Sequence, residues 1–180
     1  MKDYKKEGII NDNLVIEGNL ILTGNLDVTG YISATGYIYC NGYSIKAGYS
    51  IKAGGSIETG YSIEAGGWIK AGGSIKAVGW IKAGYLIEAG GLIEAGSSCG
   101  IQAGLSITCK GTLSFGLKAF AGICSWREIT SEEKTITCSK MIGGGVVEYG
   151  ILVETGEEVD DKMQEAMELL KSNGFRIIRE

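Results

Sequence analysis

The 180-residue chain contains no proline and no histidine. Without histidine the commonest general base of enzymes is missing, and only Asp, Glu, Lys, Cys or Tyr is left for that work. Proline is absent beside 30 glycines, which excludes collagen and argues against a disordered low-complexity linker. No apolar run approaches the roughly 20 residues of a membrane-spanning helix. The charged start MKDYKKEG is not followed by the apolar region of a secretory signal. The five cysteines, Cys40, Cys99, Cys109, Cys124 and Cys138, are odd in number and lack CxxC spacing. They read as small buried apolar residues in a reducing cytoplasm, not as disulfides or metal ligands. The net charge of −4 gives no general attraction to nucleic acid or to an anionic membrane.

What is present is one phrase repeated. Residues 43–96 divide into sixes: YSIKAG, YSIKAG, GSIETG, YSIEAG, GWIKAG, GSIKAV, GWIKAG, YLIEAG, GLIEAG. An earlier version, NLVIEG, NLILTG, NLDVTG, YISATG, YIYCNG, begins at residue 12. Within SIKA, Ile and Ala fall on one side and Ser and Lys on the other, which is strand periodicity. A six-residue period drifts around a 3.6-residue turn, so a helix would carry Ile on every side. The glycine and its follower then turn the chain, because glycine accepts positive φ without a steric cost. A short strand plus a tight corner, repeated, winds an all-β parallel β-solenoid.

Two slips interrupt the beat. The inward pair moves one place towards the glycine between Ile38 and Ile45, and SSCG at 97–100 lengthens a second corner; both read as bulges. Hexads close a coil as three per 18-residue turn or as two per 12-residue turn. At 18 the outward columns are Lys46–Glu64–Lys82, Lys52–Lys70–Glu88 and Glu58–Lys76–Glu94, largely alternating in sign. At 12 the charges alternate as well, and Trp68 and Trp80 stack in one column. A two-sided coil leaves a thin core, so the three-sided form is the expectation.

The expected organisation is a polar lead-in over 1–11, the solenoid over 12–125, and C-terminal strands plus one helix over 126–180. SITCKG (106–111) and TITCSK (135–140) echo each other around an inserted loop, and 144–155 alternates like a strand or hairpin. Thr155 with Glu158 makes a capping-box pattern. Val159, Met163, Ala166 and Leu170 lie on one helical stripe that stops at Gly174, and FRIIRE reads as a last strand. This α/β piece is expected to cap the solenoid, whose open end exposes unpaired strand edges.

At the hexads the chain is similar to two groups. In the hexapeptide-repeat acyltransferases a small residue precedes the aliphatic one by two; here that place is Tyr or Gly, and the histidine those enzymes use is absent. The stretch NDNLVIEGNLILTGNLDVTGYI (11–32) resembles the coils of bactofilins in its glycine-spaced aliphatic pairs. That resemblance covers roughly 12–110 and implies a right-handed three-sided β-helix that polymerises. Bactofilin tails are typically disordered and often contain proline, whereas here proline is absent and the tail reads as folded. In style the chain also resembles glycine-rich repeat proteins of Firmicutes and their prophages.

For chemistry the sequence offers little. Glu132–Glu133 and Asp160–Asp161 lie in polar runs, GGG at 143–145 is not followed by the Lys and Ser of a phosphate loop, and a cysteine nucleophile lacks a histidine. No enzyme activity, cofactor, metal or small-molecule substrate is expected. Lys70, Lys76 and Lys82 with Trp68 and Trp80 between them suit single-stranded nucleic acid, against which stands pairing of these lysines with neighbouring glutamates. Trp68, Trp80, Leu86 and Leu92 stand where the repeat has an outward Ser, and Tyr61 and Tyr85 follow corner glycines. Aromatic anchors on a rigid face suit a protein partner or a second copy, a homodimer included. The expected function is a non-catalytic scaffold presenting that face. The alternative is a small phage-type inhibitor docking on a host defence enzyme such as a CRISPR nuclease.

Overall fold

Each central hexad folds as its alternation dictates. The strands from Ile45–Ala47 through Ile93–Ala95 turn their first and third residues inward and the middle one outward. The computed structural model describes residues 1–156 and is an all-β parallel solenoid of about eight turns. Strands stack in three ladders that the chain visits in rotation. Ladder I runs from Leu14–Ile16 through Ile32–Ala34, Ile51–Ala53, Ile69–Ala71, Ile87–Ala89, Ile107–Cys109 and Thr135–Cys138 to Ile151–Glu154. Ladder II starts on the first half of Asn19–Val28 and ends at Lys140–Ile142; ladder III starts on its second half and ends at Val146–Tyr149. Because the ten-residue strand Asn19–Val28 serves both, ladders II and III form one 14-stranded sheet beside the eight-stranded ladder I.

The turn is 18 residues, not 12. Ile69 pairs with Ile51 and Ile87, and Ala71 with Ala53 and Ala89. Isoleucine therefore stacks on isoleucine, and Ile45 through Ile93 are fully buried. Such stacking keeps β-branched side chains in contact at the strand spacing of about 4.8 Å.

Both slips are bulged corners. Gly42 takes φ +88° where one residue is added, and Leu26 pairs with Ile45 beyond it. At the second corner Cys99 N–H closes a tight turn on Gly96 O, 2.9 Å.

The regular corner glycines have a different cause from the expected one. Gly48, Gly66, Gly84 and Gly104 do not have positive φ. A Cβ on Gly66 would instead strike the carbonyl oxygen of Gly48, and one on Gly84 that of Gly66. The corners stack too closely for a side chain, and glycine is required by the turn beneath.

Three regions differ from the boundaries read in sequence. Residues 1–11 are not a simple polar lead-in: Asp3–Ile10 is a strand lying parallel on Asn19–Val28. Its alternation is hidden because Lys6 and Gly8 share the inward register with Tyr4 and Ile10. The ladders also run past residue 125, to Glu154. Val146–Tyr149 and Ile151–Glu154 lie on different ladders and do not form a hairpin. The two echoing segments are direct neighbours, Ile107 on Ile136 and Thr108 on Thr137, with 122–134 inserted between their turns. The expected helix, the rest of its capping box and the final strand lie outside the described residues.

Candidate functional site

The slot before each inward Ile explains itself once the turns are stacked. Ser50 Oγ accepts the N–H of Trp68 at 3.2 Å, Ser56 Oγ that of Ser74 at 3.1 Å, and Ser74 Oγ that of Leu92 at 3.2 Å. In the first turn Asn13, Asn19 and Asn25 do the same through Oδ1 for Tyr31, Tyr37 and Ser44. A short oxygen-bearing side chain here satisfies a corner N–H one turn above. A large apolar residue in the slot gives up that role.

The four substituted slots do not share a face. Trp68 and Leu86 are on successive turns of ladder I, Leu92 is on ladder II and Trp80 on ladder III. Trp68 is half-buried, with Lys70 Nζ 5.9 Å from its ring centre. Tyr85, at the corner leading to Leu86, meets Trp126 of the inserted segment edge-on at 5.1 Å and 73°. Trp80 is 51% exposed, and its Nε1–H donates to Glu64 Oε1 at 2.8 Å. Tyr61 is exposed at the corner entering the same ladder one turn below.

The three lysines are also separated. Lys70 is on ladder I and pairs with Glu88 at 2.6 Å. Lys76 lies between Glu58 and Glu94 on ladder II, and Lys82 between Glu64 and Gln102 on ladder III. The basic and aromatic interleaving seen in sequence is thus distributed around the rod.

Around Trp80 the surface opens into a groove of about 460 Å³ lined by Glu64, Lys82, Gln102, Leu117 and Phe120 among others. Gly100 holds the slot above Trp80 and has no side chain to fill it. Leu117, Phe120 and Gln102 were not singled out in sequence, because the register beyond SSCG is visible only once Ile101 is seen on Ile81 and Ala119 on Ile101. Trp126 was missed because it lies in the inserted segment, outside the repeat, and meets Tyr85 only through the fold.

The thiols are structural in setting. Cys40 and Cys138 are buried, and burial pushes both above the ordinary thiol value; a raised thiol is a poor nucleophile. Among the described residues no group of three or more His, Cys, Asp or Glu side chains is placed to hold a metal ion, and no helix is long and apolar enough to cross a membrane. Compared with protein-family models, curated proteins and solved structures, the chain matches none.

Proposed function

We propose that the protein is a non-catalytic, three-sided solenoid that works by presenting fixed side chains to a protein partner. The observation that carries this reading is the exposure of large apolar groups at departures from the repeat, Trp80 above all, on a backbone locked by parallel ladders. Exposed aromatics on a rigid support lose little entropy on docking and are favoured as anchors. The absence of catalysis is supported by the lack of histidine and by outward charges that face one another along the columns. The thiols of Cys40, Cys99, Cys124 and Cys138, none of them in a disulfide, favour a reducing, cytoplasmic setting.

Filament growth through stacked ends, which the bactofilin resemblance implies, is disfavoured by unlike ends. The N-terminal edge is charged and its register is broken between Lys6 and Gly8, features that hinder strand addition. Sedimentation velocity over a range of concentrations is expected to give one discrete species. Open-ended oligomers that grow with concentration would sink this reading in favour of a self-assembling scaffold. Trp68→Ser with Trp80→Ser restores the repeat's own residue. Loss of partner capture with an unchanged melting curve is expected, and unchanged capture rules out the aromatic surfaces.

A further inference from the structure

The regular repeat is a background against which each departure stands out, and on ladder III five of them meet. Trp80 replaces Ser, Gly100 replaces Ser one turn above, Gln102 replaces the charged residue of the outward column, and Leu117 and Phe120 follow on the next turn. The longer corner 97–100 leads directly into this place.

The electrostatics change with them. The outward column runs Asp27, Lys46, Glu64, Lys82, Gln102 and Phe120. On ladder I, Lys70 finds its acid one turn above, Glu88 at 2.6 Å. Lys82 finds Gln102 there, which is neutral. The acid below it, Glu64, is turned to the indole N–H of Trp80. Lys82 therefore has no ion-pair partner among the described residues, whereas Lys118 at the far side of the groove is paired with Glu148 at 2.9 Å. The groove has one uncommitted cation beside three exposed or half-exposed apolar groups: Trp80, Leu117 and Phe120.

We propose that this groove receives an acidic segment of a partner protein, seating an aromatic side chain against Trp80 between Leu117 and Phe120 and a carboxylate on Lys82. This rests on the protein-binding reading and names the chemistry of the partner. The apolar walls supply the anchor site. A carboxylate delivered to Lys82 supplies the charge that the column lacks and selects against basic segments.

The test is titration of the full-length, isotope-labelled protein with capped tripeptides of sequence Glu-Phe-Glu, Glu-Ala-Glu and Lys-Phe-Lys, followed by nuclear magnetic resonance. The Trp80 indole signal is identified by its loss in Trp80→Phe. Glu-Phe-Glu is expected to move that signal and the amides of 100–102, at concentrations about tenfold lower than either other peptide, leaving Trp68 and Trp126 unmoved. Gln102→Glu restores the column's acid. It is expected to fold normally and to abolish the preference for Glu-Phe-Glu over Lys-Phe-Lys, while Trp80→Ser removes binding. Equal shifts from all three peptides, none at millimolar concentration, or shifts centred on Trp68 overturn the proposal. So does a thymidine oligonucleotide that moves the Trp80 signal more strongly than the peptide. If a captured protein partner is retained by both Trp80→Ser and Gln102→Glu, the groove assignment fails and the wider protein-binding reading survives. If no partner is captured at all, it is the wider reading that fails.

Discussion

The two ends of the ladders are built differently. At the start, Asp3–Ile10 lies over Asn19–Val28, and the inward residues beneath it, Leu20, Leu22, Leu26 and Val28, are buried. The covering strand itself carries Lys5, Lys6 and Glu7, and bends at Gly8 with φ +86°. Charge and a register break are the usual protections of an edge. At the other end Ile151–Glu154 is exposed along its whole length. Leu152 occupies the inward register of Ile136, yet it is 37% exposed where Ile136 is fully buried. The first end is finished by its own strand, whereas the last described strand is apolar, unbent and uncovered by the residues before it. A solenoid of this kind needs a polar or covered terminus, and among the described residues only the first end has one.

The sharpest break of that contrast is a charge in the inward register. Ile136→Asp buries a carboxylate between two turns and is expected to cost about 4 kcal/mol or more, enough to prevent folding. Leu152→Asp is expected to cost less, about 1 kcal/mol in urea unfolding of the full-length chain, because Leu152 shares the inward register of Ile136 but is 37% exposed. A cost below about 0.5 kcal/mol, typical of an open surface, would show that the inward register carries no packing at Leu152.

The second test removes the protection of the first end. Lys5→Val with Lys6→Val turns a charged edge into an apolar one at two exposed positions, the second in the inward register. Concentration-dependent association is expected by sedimentation, with little change in the melting temperature. A discrete species at all concentrations would mean that the bend at Gly8, not the charge, protects this edge.

The contrast between ends also shows how far the sequence reaches. The solenoid, its inward Ile and Ala, and its alternating columns were legible because a strict period leaves one consistent stacking. The choice of 18 over 12 rested on core thickness alone, since charges alternate at both spacings and Trp68 with Trp80 favoured 12. The role of Ser50, Ser56 and Ser74 escaped notice because an acceptor for a backbone N–H one turn away has no local signature. The corner glycines were recognised but explained by φ, when the obstruction is a carbonyl 18 residues earlier. The first strand was hidden by Lys6 and Gly8 in inward positions. The Trp80 groove was half seen: Trp80 was evident against the repeat, while Phe120 and Gln102 needed the register beyond a two-residue expansion.

A smaller effect is expected where the first end is tied to the ladder. Asn19 is buried; its Nδ2 donates to Asp3 Oδ1 at 2.8 Å and its Oδ1 accepts from Tyr37 N–H at 3.3 Å. Asn19→Ala is expected to lose about 1–2 kcal/mol, since the Tyr37 donor is left without its acceptor. Asn19→Ser keeps an acceptor, as Ser50 and Ser74 do elsewhere, and lacks the donor for Asp3. It should recover most of the stability while hydrogen exchange across 3–10 stays faster than in the parent. Equal protection of 3–10 in parent and Ser variant would show that the ladder hydrogen bonds alone hold this strand.

The smallest effect lies near the second end, in the inserted segment, and depends on pH. Glu133 accepts hydrogen bonds from Arg127 and from Thr130 N–H. These, the Arg127 guanidinium first, hold its carboxyl at about 2 against an ordinary 4.5. A carboxyl whose value is lowered by folding stabilises the folded form above its unfolded value and loses that contribution as pH falls through the folded one. The link is therefore complete above about pH 4.5 and is lost towards pH 2. The pair is solvent-exposed, so global stability should scarcely change. The local consequence is expected at Trp126, carried by this segment onto Tyr85. Its fluorescence, isolated in a variant with Trp68→Phe and Trp80→Phe, should move towards that of free indole across this window, whereas Glu133→Gln should show the loosened signal already at neutral pH. A Trp126 signal that is flat from pH 5 to pH 2 while the fold persists would mean that the indole is held by the Tyr85 contact alone. The Arg127–Glu133 pair would then only close the loop's own turn.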